Sequence, residues 1–212
     1  ALIAAGVLEA AVADALNPDT DAEPQPLLQA ATDALARAWG GAPEARAEAA
    51  RHLRAALAGP LPARVTAKEP EGFAFYALCP SQYAAAARAF LAAHRPARVA
   101  VLGLRSIGTT LSAVVAAECA GAGAEVRRLT ARPRGHPWDR RLSLAPPLRG
   151  ALARADHVLI VDEGPGISGT SFAAAAEAAL AAGRPPARVH LFPSHRPDPA
   201  ALRSDRARAT WA

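Results

Sequence analysis

Cysteine is nearly absent from the chain: Cys79 and Cys119 are the only two in 212 residues, with no CxxC and no Cys/His cluster beside either. A disulfide framework or a structural zinc site is therefore not what organises this protein, and both thiols are expected as small buried apolar groups. Long hydrophobic runs are missing too. The apolar stretches are Ala-rich and broken by Arg, Glu, Pro or Gly, well short of the roughly 18 residues a membrane span needs. The first residues, ALIAAGVLEAAVADAL, have no basic region ahead of their apolar positions, so no signal peptide is expected and a cytoplasmic location is. Lysine is almost lacking, since Lys68 is the only one although Lys and Arg together number 24 against 19 acids. The net charge of +5 is thus carried by arginine, whose planar, permanently charged fork suits phosphate and would serve a nucleic acid equally. A GC-rich coding sequence also enriches Ala and Arg, so bulk charge alone does not choose a partner.

What is present is a globular composition, 51% hydrophobic and 20% charged, long enough to bury a sizeable core. Residues 1–62 form a helical appendage in this reading. An apolar N-terminal helix is followed by a Pro/Asp/Glu-rich break at 17–26, then helices over about 27–39 and 44–58 punctuated by Gly40, Gly41, Pro43, Gly59 and Pro60. From residue 63 the pattern changes to short β-type runs alternating with helices. Strands are expected at 64–67, 73–78, 98–103, 125–130, 157–161 and 187–192, with helices at 82–94, with Ser81 as its cap, 109–119 and 170–182. Such alternation predicts an α/β class, a parallel sheet with helices on both faces. No repeat of solenoid period is evident.

The richest stretch is VLIVDEGPGISGTS, from Val158 to Ser171. Gly164, Gly166 and Gly169 fit the GxGxxG dinucleotide pattern. The two carboxylates ahead of the first glycine would face the pyrophosphate, however, and no acid follows the next strand for the ribose diol. A P-loop is disfavoured because Thr170 stands where the phosphate-neutralising lysine belongs. A third reading uses every residue: an apolar strand, an acid pair, a small-residue turn, then Ser-Gly-Thr-Ser opening a helix. In this the sequence resembles a type I phosphoribosyltransferase. The resemblance implies that Asp162 and Glu163 bind the ribose hydroxyls of 5-phosphoribosyl 1-diphosphate and that Ile167, Ser168, Gly169, Thr170 and Ser171 wrap its 5′-phosphate. Physical chemistry agrees, because amides and hydroxyls at a helix start suit a dianion and paired acids accept hydrogen bonds from a diol. The spacer Gly164 to Ile167 is one residue longer than the family's usual one, which leaves the register of the phosphate contacts open. A bland alternative, a connecting turn with two strand-end acids, leaves the three hydroxyls unexplained.

The resemblance covers about residues 97–192, and the region from 63 onward is expected as a phosphoribosyltransferase-like domain ending in a hood-like segment. Upstream, Leu104, Arg105, Ser106, Ile107 and Gly108 repeat the strand-loop-helix plan and resemble the family's pyrophosphate loop, with Arg105 adding charge and Gly108 allowing close approach. Arg132, Arg134, His136, Arg140 and Arg141 occupy the position of a mobile loop that closes over the diphosphate. His195 and Arg196 lie where the fold builds a hood over the acceptor. The aromatic positions Phe73, Phe75, Tyr76 and Tyr83 are read as core before base-stacking wall. The remaining histidines, His52, His94, His157 and His190, lack metal-ligand spacing. The implied activity is phosphoribosyl transfer to a nitrogenous base or base-like acceptor, with Mg²⁺ held mainly through ligand oxygens and also by Asp162 and Glu163. A non-catalytic regulator that binds phosphoribosyl diphosphate is the alternative, and dinucleotide- or RNA-binding roles stand behind it. A homodimer is compatible with the resemblance, whereas membrane and nucleic-acid partners are not expected.

Overall fold

A computed structural model describes residues 1–23 and 25–211. Four parallel strands, β1 (Arg98–Leu104), β2 (Glu125–Ala131), β3 (His157–Val161) and β4 (Val189–Phe192), form one sheet in the order β2-β1-β3-β4. The central strands are continuous apolar runs, VAVLGL and HVLIV, because both of their faces are covered. Leu102, Leu104 and Ile160 point to one face, against α7 (Pro146–Arg154) and α8 (Thr170–Ala181). Val99, Val101, Leu159 and Val161 point to the other, against α5 (Pro80–His94) and α6 (Ile107–Gly121). Among the described residues, no helix is long and apolar enough to cross a membrane.

The N-terminal helices α1 (Leu2–Leu16) and α2 (Pro26–Trp39) pack as a further layer against α6, and α3 (Ala45–Ala58) packs on α2. Small residues bring them close: a Cβ at Gly6 of α1 would collide with the side chain of Thr110 on α6. Buried charge fixes the layer. Arg128 of β2 donates to both oxygens of Glu9 at 2.9 Å and to Asp33 at 2.5 Å, and all three groups come from different elements. Burial works against the Arg128 charge, but the Asp33 and Glu9 carboxylates outweigh it and keep the guanidinium protonated. Residues 1–62, read from sequence as an appendage, are therefore joined to the sheet by packing and by ion pairs.

Three local expectations are corrected. The stretch 73–78 is not a strand: α4 (Glu71–Phe75) is a short helix followed by irregular chain, and Phe75 and Tyr76 are exposed. The extended run 64–67 pairs with no strand among the described residues. Helix α5 starts with Pro80 at its first position, so the cap is Cys79 with Gln82 reaching back, not Ser81. Besides α4, two further helices were not foreseen. The PPLRGALAR run carries Leu148, Ala151 and Leu152 at helical spacing behind two prolines. The C-terminal α9 (Asp205–Trp211) sets Trp211 edge-on to Phe172, 5.3 Å between centroids.

At the N-terminal edge of the sheet His94, His157 and His190 cluster with ring centroids 4.8–5.0 Å apart. Arg188 can only donate, so its 2.5 Å bond makes His157 Nε2 an acceptor. His157 Nδ1 then donates to His190 Nε2 at 2.8 Å. This chain of bonds requires both rings neutral. Burial, then the neighbouring His157, His94 and Arg188, push His190 down to about 4, and burial with Arg188 also lowers His157.

Two predictions follow from the charges. A histidine depressed in the folded state stabilises fully above its ordinary pKa of 6.5 and loses that contribution as pH falls toward 4. His190→Gln keeps an acceptor that does not titrate, so its melting temperature should fall less than the parent's between pH 7 and 4.5; an unchanged fall would contradict the neutral network. Glu9→Ala should cost about 3–5 kcal/mol in denaturant titration because Arg128 stays buried, whereas Glu23→Ala, whose partner Arg127 is half exposed, should cost less than about 1 kcal/mol.

Candidate functional site

Strands β1 and β3 are neighbours, yet the helix after β1 covers one face and the helices after β2 and β3 cover the other. The loops that leave their C-terminal ends therefore diverge, opening the crevice in which parallel α/β sheets hold ligands. Asp162 and Glu163 stand at this point, directly after the last residue of β3. Their backbone is held from several sides. Tyr83 of α5 shares its hydroxyl proton between the carbonyls of Asp162 and Glu163, at 2.7 and 3.0 Å, and Ser194 N donates to Glu163 O at 2.6 Å. Asp162 Oδ1 accepts from Glu163 N at 2.9 Å. Gly108, at the start of α6, lies so close that an added Cβ would sit 2.5 Å from Val161 O and 3.2 Å from Asp162 Oδ1. Glycine is needed there because the β1 loop touches the acid pair.

A cavity of about 490 Å³ opens at this place, lined on one side by Ser106, Asp162 and Glu163 and on the other by Lys68, Glu69 and Glu71. The second side is a strap, the irregular chain 60–70 and α4. It lies close over the acids, since a Cβ on Gly72 would meet the Glu163 carboxylate at 2.7–2.9 Å. Four carboxylates border this one space. Burial, with the Glu163 charge adding to it, pushes Asp162 up to about 7 against the pull of Arg132, and burial and Glu71 raise Glu163. Ser106 sits at φ 127°, ψ −110°, a conformation that a side chain with Cβ adopts only under constraint. Strain of this kind gathers at ligand-binding turns.

The expected cations are placed differently. Arg105 borders the cavity through its backbone, but its side chain is fully buried and points to the N-terminal layer. There it pairs with Asp21 at 2.7 Å and Asp14 at 3.1 Å and bonds to Thr130 O. Arg132 pairs with Asp14, and Arg134 grips both oxygens of Asp21 at 3.0 Å. Burial would raise Asp14, but the Arg132 and Arg105 guanidiniums hold it below the usual carboxylate range. The connection 131–141 is further tied by an antiparallel bridge between Arg134 and Arg141, by Arg140 donating to Pro133 O, and by Arg141 and Arg206 on Asp139. His136 is exposed and its Nδ1 accepts from Trp138 N.

The loop expected for a 5′-phosphate is also partly occupied. Thr170 Oγ1 donates to Pro137 O at 2.6 Å and is buried, and Gly169, at φ 67°, fits beneath Ala207 and Leu202. Ile167 is 70% exposed, while Ser168 and Ser171 are half-buried beside it. These five residues lie outside the lining of the acid-pair cavity. His195 lies beside Gly164, which borders the cavity, but does not itself line it; its Nδ1 is 3.1 Å from Ser194 Oγ. Arg196 is exposed beyond it. Sequence reasoning missed Lys68, Glu69, Glu71 and Gly72, whose KEPEG run offered a signal in its charge density and in its glycine directly ahead of an aromatic run. It also missed Tyr83 as the holder of the acid pair.

No group of three or more His, Cys, Asp or Glu with metal-holding geometry occurs among the described residues. The carboxylates of Asp162 and Glu163 are hard oxygen donors. They fit a magnesium that keeps waters and takes most of its coordination from a ligand.

The raised Asp162 carries a stability signature. Between its ordinary 3.8 and about 7 the folded chain holds a proton that the unfolded chain has released, so stability falls as pH rises through that window. Asp162→Asn, which retains the acceptor for Glu163 N, should raise the melting temperature by several degrees at pH 8 and give no gain at pH 3.5. A variant no more stable at pH 8 would contradict the strained charge at this position. Comparison with protein-family models, with curated proteins and with solved structures finds no match to this chain, so the chemistry of the site rests on its own residues.

Proposed function

We propose that the crevice between β1 and β3 binds 5-phosphoribosyl 1-diphosphate and that the protein is a phosphoribosyltransferase-like enzyme acting on a nitrogenous acceptor. The observation that carries this reading is the placement of Asp162 and Glu163. Two carboxylates are held at a topological switch point, at a cost to stability, where packing has no use for them. A vicinal diol offers two hydroxyl donors to such a pair, and charged acceptors strengthen those bonds. The Ser106 turn beside the acid pair supports the reading, since it lines the same cavity with its backbone held in a constrained conformation.

In this account Asp162 and Glu163 orient the ribose, with Tyr83 and Ser194 fixing the backbone that carries them. A bound magnesium would supply charge neutralisation between the diphosphate and the sugar oxygens. The acceptor nitrogen forms its bond to the anomeric carbon as the bond from that carbon to the diphosphate oxygen breaks; the electron pair leaves with the diphosphate and the proton of the acceptor N–H passes to water. His195, next to Gly164, stands beside the acceptor's approach. A second reading, ligand binding without turnover, is favoured by one observation: Arg105 and Arg134, expected to stabilise the leaving group, are bound to Asp21.

Millimolar phosphoribosyl diphosphate with Mg²⁺ should raise the melting temperature, because a ligand that binds only the folded state stabilises it by mass action. The double variant Asp162→Asn, Glu163→Gln should stay folded and bind it more than about tenfold more weakly in calorimetric titration. Release of diphosphate in the presence of a panel of nucleobases separates transfer from binding alone. No thermal shift in the parent protein would remove the phosphoribosyl assignment.

A further inference from the structure

On the far side of the strap from the acid-pair cavity lies a second groove, about 350 Å³, between the end of α1 and residues 64–68. Its lining carries Arg64, Lys68, Arg132 and Arg134 against a single carboxylate, Asp14. The polarity is the reverse of the first cavity, where Glu69, Glu71, Asp162 and Glu163 face Lys68. Lys68, the only lysine of the chain, borders both spaces.

The four cations of the groove are of two kinds. Arg132 and Arg134 are preorganised: one is bonded to Asp14 at 2.6 Å, the other to Asp21 and to Asn17 O at 2.5 Å. Arg64 and Lys68 are exposed on irregular chain and make no ion pair or side-chain hydrogen bond with the described residues. Fixed arginines beside two uncommitted cations form a site of net positive charge that lacks its anion. A phosphate monoester or a diphosphate supplies the matching charge and several acceptor oxygens.

We propose that this groove is the anion subsite of the protein, holding a phosphate or diphosphate group of a ligand whose diol lies at Asp162 and Glu163, with Lys68, which borders both spaces, reaching the anion. The proposal rests on the phosphoribosyl reading for the second half of the ligand but not for the anion itself. It explains how a polyanion is accommodated beside four carboxylates: the charged group is drawn across the strap, away from them. It also assigns the strap a role, since Lys68, Glu69 and Glu71 are carried on one short segment that separates the two spaces.

Inorganic diphosphate and phosphoribosyl diphosphate, each with Mg²⁺, serve as the probes, titrated calorimetrically into the full chain. Arg64→Ala with Lys68→Ala should leave the melting temperature near the parent's and weaken diphosphate binding at least tenfold. Removing the same charge elsewhere, by Arg51→Ala with Arg54→Ala on the exposed side of α3, should weaken it far less. Asp162→Asn should leave diphosphate binding in place. Diphosphate that does not bind the parent, or binds the Arg64/Lys68 variant as tightly, overturns the subsite. Diphosphate binding that depends on Arg64 and Lys68 while phosphoribosyl diphosphate binds no better than diphosphate keeps the subsite and removes the phosphoribosyl reading. The converse, phosphoribosyl diphosphate bound through Asp162 with no loss in the Arg64/Lys68 variant, keeps that reading and removes the subsite.

Discussion

The buried carboxylate of Asp21 is the constraint around which the functional end of this protein is arranged. It has no exposure to solvent and receives Arg105 from the end of β1 and Arg134 from the connection after β2. Its backbone continues the same junction, donating to Ser143 O and accepting from Ala145 N. A lone carboxylate in such a place would be costly, and two guanidiniums with satisfied donors make it tolerable. One residue between two N-terminal helices thus fixes the β1 loop, the arginine-rich connection and the start of α7 in a single arrangement. Without the N-terminal layer, Arg105 would keep its bonds to Thr130 but have no carboxylate partner, and the Ser106 turn would lose the anchor beside it.

This anchoring divides the chain's positive charge. Arginines that the sequence places near the crevice are drawn into the ion-pair cluster, and the crevice itself becomes acidic. The crevice is where β1 and β3 diverge, so its location follows from strand order and would be the same for many ligands. Its chemistry follows from which side chains remain unpaired there: Asp162, Glu163, Glu69 and Glu71 on the acidic side, Arg64 and Lys68 on the basic side. The strap from 60 to 75 separates the two and belongs to neither the helical layer nor the sheet.

The sheet was legible in the sequence because its central strands are buried on both faces and read as unbroken apolar runs; 98–103 and 157–161 emerge nearly as the structure has them. Asp162 and Glu163 were legible for a related reason, since paired acids immediately after such a run have no packing explanation. The stretch 73–78 misled because its aromatics suggest a strand, whereas Gly72 pressed on Glu163 and Pro70 before it favour one turn of helix. The fate of Arg105 was not legible. Whether an arginine faces a ligand or a carboxylate 84 or 91 positions away is decided by tertiary packing, and Asp14 and Asp21 sit in a segment that carries no motif. Thr170 was hidden likewise, its hydroxyl taken by a carbonyl from the connection before α7.

The central claim is that the acid pair at the switch point holds a ribose diol. A crystal of the protein grown with phosphoribosyl diphosphate and Mg²⁺ tests it most directly. The account predicts the two ribose hydroxyls at about 3 Å from the carboxylates of Asp162 and Glu163, with the sugar between the Ser106 turn and Gly72. A ligand bound elsewhere, or one in the crevice with its hydroxyls turned away from both acids, would contradict it.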